Sequence, residues 1–144
     1  MNDLTIHQAI ATRLNAIDAP AGYNLRGVYA TPPDNLAAVP AVVLLPDSDT
    51  ISYGAGNRTT VLTVRAVIYL NEVADMSRKY ADLLTWRAWL RDAVLGDTSL
   101  GDGLVAQASV TSTSLDTDVW ADTTYLTVTA TIEVSVLEVI NVQS

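Results

Sequence analysis

Residues 123–137 of the chain, TTYLTVTATIEVSVL, decide its fold class. Apolar and polar side chains alternate along the whole stretch, and this period of two is typical of a β-strand with one buried face. The side chains predicted to be buried are Leu126, Val128, Ala130, Ile132, Val134 and Val136. The intervening threonines, Glu133 and Ser135 are predicted to lie on the opposite face.

Further strands are predicted upstream of this stretch. Residues 59–70 alternate in the same way, which predicts a strand with one buried face formed by Leu62, Val64, Ala66, Ile68 and Leu70. Residues 25–30, the apolar run 39–45 and residues 104–115 predict three further strands. Residues 47–57 are predicted to form a long polar loop, and residues 116–122 the turn of the closing hairpin.

Two segments have helical spacing. Within residues 4–17 the apolar positions Ile6, Ile10, Leu14 and Ile17 form one stripe, and Pro20 follows the predicted end. Residues 75–95 predict a longer helix that stops before Gly96. Its predicted apolar face consists of Met76, Tyr80, Leu83, Leu84, Leu90 and Val94.

The order of these segments predicts an α+β fold for a single domain covering residues 1–144. We expect a mainly antiparallel sheet of four to five strands, with two helices packed on one face. Trp86 and Trp89 widen the apolar surface of the second helix beyond one stripe. Part of that surface is therefore predicted to contact a neighbouring subunit.

The charge balance argues against nucleic-acid binding. The formal net charge is −8, from 8 Lys and Arg against 16 Asp and Glu, and Lys79 is the only lysine. Binding in a groove needs clustered basic side chains that neutralise phosphates. An acidic surface is instead suited to a passage through which DNA slides without being held.

The composition also bears on the compartment and on partners. Cysteine is absent, which excludes disulfides and thiolate metal sites, and Met1-Asn2-Asp3 is not a basic signal sequence. No stretch is long and apolar enough to span a bilayer, so we expect a soluble intracellular protein with no membrane association. Charged residues make up only 17% of the chain, which favours a surface partly covered by a partner.

No residue set in the sequence predicts catalysis. His7 is the only histidine, it is predicted to lie on a helix surface, and no G-x-S-x-G motif accompanies it. Gly54-Ala55-Gly56 lacks the Gly-Lys-Ser ending of a phosphate loop. We therefore expect no enzyme activity and no cofactor.

The aspartates at positions 116, 118 and 122 are the densest acidic group, but they do not match a calcium loop. An EF-hand counted from Asp116 needs glycine and glutamate where Ala121 and Thr127 stand. No metal is expected, since aspartates that bond their own backbone are commoner. A small ligand- or metal-binding domain using residues 116–122 remains an alternative function.

The segment VTSTSLDTDVWADTTYLTVTATIEV, residues 110–134, resembles the closing hairpin of tail terminator proteins of long-tailed bacteriophages. The first helix, the strand at 39–45 and the helix at 75–95 fall where that family has them. The resemblance implies an α+β fold and a homohexameric ring that caps the tail tube, ends its polymerisation and offers the head-tail joining surface. DNA would pass through the lumen without specific binding.

The implied partners are other copies of the chain, the tail tube protein and a neck or connector protein on the head side. The implied location is the tail or neck of the virion, after assembly in the host cytoplasm. The alternative within this class is another neck component, either a stopper or a head completion protein.

Residues for the predicted interfaces come from the segment 47–57, the second helix and the closing turn. They are Tyr53, Asn57, Arg58, Trp86, Trp89, Arg87, Arg91, Asp116, Asp118 and Trp120. An ordinary mobile surface loop and a solvated helix face are the alternatives for the first two regions.

Overall fold

The computed structural model describes residues 3–20, 23–34, 36, 38–72, 76–93, 105–120 and 122–139. The helices and strands, in chain order, are α1 (Asp3–Ala16), β1 (Gly27–Tyr29), β2 (Ala41–Gly54), β3 (Asn57–Glu72), α2 (Met76–Ala93), β4 (Val105–Trp120) and β5 (Thr123–Val139). The last residue predicted for the second helix, Leu95, and the predicted stop at Gly96 lie outside the described residues.

The strands form one sheet in the order β1-β2-β3-β5-β4. The short strand β1 pairs parallel with β2, and the three other pairings are antiparallel. Both helices pack into a single core cluster with the same side chains of β3 and β5, so they cover one face of the sheet. The chain thus has an α+β fold with a mainly antiparallel sheet, as its sequence predicts.

The core lies between this helix-covered face and the two helices. The six apolar side chains predicted for β5, from Leu126 to Val136, are at most 1% exposed. From β3, Leu62, Val64, Ala66, Ile68 and Leu70 join them in the same cluster. The alternation of the two central strands therefore places their apolar side chains as predicted.

The helices contribute apolar side chains at helical spacing. Ile6, Ile10 and Leu14 of α1 are buried, and so are Leu83 and Leu90 of α2. Leu84, which was predicted on the buried face of α2, is instead 38% exposed because it lies beside the buried row. The predicted positions Met76, Tyr80 and Val94 lie outside the described side chains.

The opposite, open face of the sheet has a smaller apolar cluster at one end. Buried Ala41, Val43, Val67 and Tyr69 pack there with Leu36, from the segment that joins β1 to β2. The prediction of a single buried face for β3 is therefore wrong at this end. A non-local connection covers the second face, and the alternation of β3 gives no sign of it.

Two predicted loops belong to strands instead. Residues 47–54 continue β2, which pairs with β3 up to Gly54 opposite Asn57, and Gly56 turns the chain at φ 75°. Residues 116–120 continue β4, which pairs with β5 up to Trp120 opposite Thr123. Both turns are shorter than predicted because β-branched and aromatic residues, such as Ile51 and Tyr53 in the first and Val119 and Trp120 in the second, favour extended pairing even between polar neighbours.

Candidate assembly surfaces

The most exposed part of the sheet is the end of the β2–β3 hairpin, residues 46–61, here called the arm. Every residue from Pro46 to Gly56 is exposed, and Asn57 to Val61 are half-buried. Tyr53 is 70% exposed and Ile51 is 47% exposed. Tyr53 pairs with Arg58, and Ile51 pairs with Thr60, so each pair shares a face of the arm.

Apolar side chains are exposed on both faces of the sheet at the level of the arm. Thr60 lies opposite the buried Val136, which places Ile51 and Tyr53 on the helix-covered side. Leu137, the next residue of β5, points to the open face and is 44% exposed. The sheet thus extends beyond its helices and presents apolar surface in two directions.

A β-bulge marks the base of the arm. The register of β2 against β3 shifts between Pro46 and Asp49. These two residues line a pocket of about 130 Å³ together with His7 of α1. His7 is only 7% exposed and its Nδ1 lies 3.1 Å from the carbonyl oxygen of Ala30. The prediction of a surface histidine is wrong, because this face of α1 packs against the segment after β1.

The closing hairpin joins the open-face cluster through a buried tyrosine. The Tyr69 hydroxyl donates a hydrogen bond to Asp118 Oδ2 at 2.6 Å. The Tyr69 ring makes edge-to-face contacts with Trp120 at 5.4 Å and with Tyr125 at 5.8 Å between centroids. Asp118 and Trp120, both predicted to lie at an interface, therefore hold the hairpin end to the central strand.

The aspartates of this hairpin make local backbone bonds. Asp116 Oδ1 accepts from the amide of Thr117 at 2.8 Å, and Asp118 Oδ1 accepts from the amide of Val119 at 2.9 Å. Among the described residues, no three His, Cys, Asp or Glu side chains lie close enough together to hold a metal ion. The alternative of a ligand site at residues 116–122 therefore gains no support from the geometry.

The tryptophans of α2 serve the fold rather than a free surface. Trp86 is completely buried, and its ring packs edge-to-face on Tyr23 and Trp89. Trp89 is half-buried, and its indole N–H donates to the carbonyl oxygen of Asp18 at 2.8 Å. The prediction of Trp86 as an interface residue is wrong, because the segment that follows α1 covers that side of α2.

The other predicted interface residues are scattered. Arg91 is exposed and Arg87 is half-buried on α2, whereas Asn57 and Arg58 lie at the end of the arm. Apart from the pairs Asp118 and Trp120, and Trp86 and Trp89, the predicted interface residues that the structure brings together are Tyr53, Asn57 and Arg58. The exposed Ile51 and Leu137 were missed as interface residues, although a leucine at a polar position of the β5 alternation is a readable signal.

The Tyr69–Asp118 contact predicts a loss of stability at high pH. Burial, and then the hydrogen bond to Asp118, raise the pKa of Tyr69 above its usual value near 10. Above about pH 10 the unfolded chain releases this proton while the folded chain keeps it. The stability that Tyr69 contributes is therefore fully present below about pH 10. Above that pH, the free energy of unfolding should fall by up to about 1.4 kcal/mol per pH unit from this residue alone.

Urea unfolding followed by circular dichroism between pH 8 and 11.5 measures this effect. Tyr69→Phe should be about 1 kcal/mol less stable than the parent chain at pH 8, because it loses one hydrogen bond. The stability of this variant should also fall less above pH 10, because it lacks the titrating hydroxyl of Tyr69. Tyr53→Phe is the matched control, since Tyr53 is 70% exposed. Equal pH dependence in the two variants would contradict the assignment.

None of the described helices is both long and apolar enough to cross a membrane.

Comparison with known proteins returns no relative: no protein-family profile matches the chain, and no curated protein matches it.

Proposed function

We propose that this chain is a tail terminator of a long-tailed bacteriophage, which forms a ring on the end of the tail tube and provides the head-tail joining surface. The resemblance of residues 110–134 to the closing hairpin of that family supports the proposal, and these residues form most of β4 and β5. The α+β fold that the resemblance implies agrees with the α+β architecture of this chain.

The arm is the observation that carries the proposal. It extends a five-stranded sheet beyond the helices and exposes Ile51 and Tyr53 on one face, with Leu137 exposed on the other. Scattered single apolar side chains are normal on a surface, but apolar groups on both faces of one projecting end favour a partner that surrounds it. We assign the Tyr53 face of the arm to the contact with the tail tube.

The charge of the chain agrees with a lumen for DNA. The net charge is −8, and the central open face carries mainly hydroxyl side chains, such as Thr129, Thr131 and Ser114. Arg65 of β3 is also exposed on this face, opposite Thr131, but the neutral hydroxyls and carboxylates around it offer phosphates no cluster of cationic partners. A ring with this face inward lets DNA pass without holding it.

Light scattering of the purified chain, alone and with tail tube protein, tests ring formation. A hexamer in either condition is expected. A strict monomer at high concentration in both conditions overturns the proposal. Binding to portal-capped heads but not to tail tubes would favour a stopper or head completion protein instead.

A tube-capping assay tests the role of the arm. Tail tube protein is polymerised with the chain, and tube lengths are measured by electron microscopy. We expect Tyr53→Ser to weaken capping by at least about 30-fold, as for a contact worth 2 kcal/mol or more. Ser52→Ala is the matched control, because Ser52 lies on the other face of the arm. Equal loss in both variants contradicts the assignment of the Tyr53 face.

A further inference from the structure

Both outer edges of the described sheet lack a neighbouring strand over long stretches. On one side, β1 pairs only with Ala41, Val42 and Val43, which leaves residues 44–54 of β2 without a partner strand. On the other side, β4 is the outermost strand over its 16 residues. The unpaired backbone N–H and C=O groups of such edges are templates for pairing with another chain.

The usual protection of edge strands is confined to part of each edge here: Pro46 and the bulge at the base of the arm on β2, and Asp116 and Asp118 on β4. Natural edges are commonly blunted by lysine, proline or a covering segment. Residues 105–120 contain no lysine, arginine or proline. The exposed positions of β4 include small side chains such as Ser112 and Ser114, and Val119 is 60% exposed. Along the arm, every residue of β2 from Pro46 onward is exposed, so nothing described covers that edge.

The two edges have opposite strand directions. The pairings β2–β3, β3–β5 and β5–β4 are all antiparallel, so β2 and β4 run antiparallel to each other. Copies related by rotation around a ring keep the same orientation relative to the ring axis, so strands along that axis keep their direction. The β2 edge of one copy would therefore meet the β4 edge of the next in antiparallel geometry, which a strand pair readily adopts.

The charges on the two edges do not oppose this contact. In the sheet, Asp49 is level with Leu62, Val134 and Ala108. In level pairing, Asp49 of one copy thus lies beside the uncharged Ala108 of the next, and Asp116 is eight residues further along. At about 3.4 Å per residue this separation is roughly 27 Å, well beyond the screening length of about 10 Å.

We propose that residues 49–54 of β2, beyond the bulge, in one copy pair antiparallel with β4 of the next copy, so that one continuous sheet runs around the ring. This inference rests on the proposed ring and adds to it the contact that closes it. The contact consists mainly of backbone hydrogen bonds, with the open faces of all copies on the same side.

Disulfide cross-linking tests the pairing, because the chain has no cysteine of its own. Ser52→Cys in the arm is mixed with Val105→Cys, the β4 position level with Ser52 in the sheet, or with Ser109→Cys or Ser112→Cys further along β4. The three positions sample the stagger between copies. Ala88→Cys, on the exposed side of α2, replaces the β4 variant in the control mixture.

We expect one of the three mixtures to form covalent dimers between the two variants at least about tenfold faster than the control, since neighbouring strands bring Cβ atoms within disulfide reach. If light scattering shows rings but none of the three mixtures cross-links faster than the control, the edge pairing is overturned and the proposed function stays intact. A monomer alone and with tail tube protein overturns both.

Discussion

Replacing Trp86 with alanine should lower the free energy of unfolding by about 3–5 kcal/mol. Trp86 is one of the largest completely buried side chains, and it lies in the core between α2 and the sheet. Its ring packs on Tyr23 at 5.8 Å and on Trp89 at 5.3 Å between centroids. Alanine leaves a cavity that the neighbouring side chains fill only in part. Urea unfolding followed by far-ultraviolet circular dichroism measures the change without relying on tryptophan fluorescence.

Trp89→Ala is the matched comparison on the same helix. Trp89 is half-buried, so its loss removes one ring contact and the hydrogen bond to Asp18, and about 1–2 kcal/mol is expected. If Trp86→Ala unfolded like the parent chain but formed weaker rings, Trp86 would belong to an interface. The sequence alone favours that interpretation, and the burial of Trp86 argues against it.

The parts of the fold that could be predicted are those set by local periodicity. A period of two in residues 123–137 determines both that β5 is a strand and which side chains are buried. The same holds for the helix-covered face of β3 and for the stripe of α1. Each of these patterns is complete within a short stretch, so it needs no knowledge of distant residues.

The parts that could not be predicted depend on contacts distant in sequence. Trp86 is covered by Tyr23 and its surrounding segment, 63 residues earlier, and no pattern in α2 indicates that cover. The polar composition of residues 47–54 is typical of a loop, yet pairing with β3 keeps them extended. The four consecutive polar residues 47–50 interrupt the alternation by which a strand is recognised.

On the candidate surface, too, local features could be predicted from the sequence and contacts between distant residues could not. The exposure of Tyr53 could be predicted because it lies among polar residues. The burial of Tyr69 and its bond to Asp118 could not, since they depend on the register of β3 against β5 and of β5 against β4. Register is set by the whole sheet, and one residue of slip would place each side chain on the other face.

Ile132→Ala should lower the free energy of unfolding by about 2–5 kcal/mol. Ile132 is completely buried on β5, between Val64 of β3 and Val110 of β4, in the middle of the helix-covered face. β5 itself is paired on both sides, so its backbone cannot easily move to close the cavity. The midpoint of urea unfolding measures the loss.

Thr131→Ala is the control, because Thr131 is the preceding residue of β5 and its half-buried side chain lies on the open face. A change of less than about 1 kcal/mol is expected there, within the range of strand preference. Ring formation at concentrations where both variants are folded should be unaffected by Ile132→Ala, since its side chain faces the helices of its own subunit. Similar destabilisation by the two substitutions would mean that both faces of β5 are equally buried. The assignment of the open face to the lumen would then lose its basis.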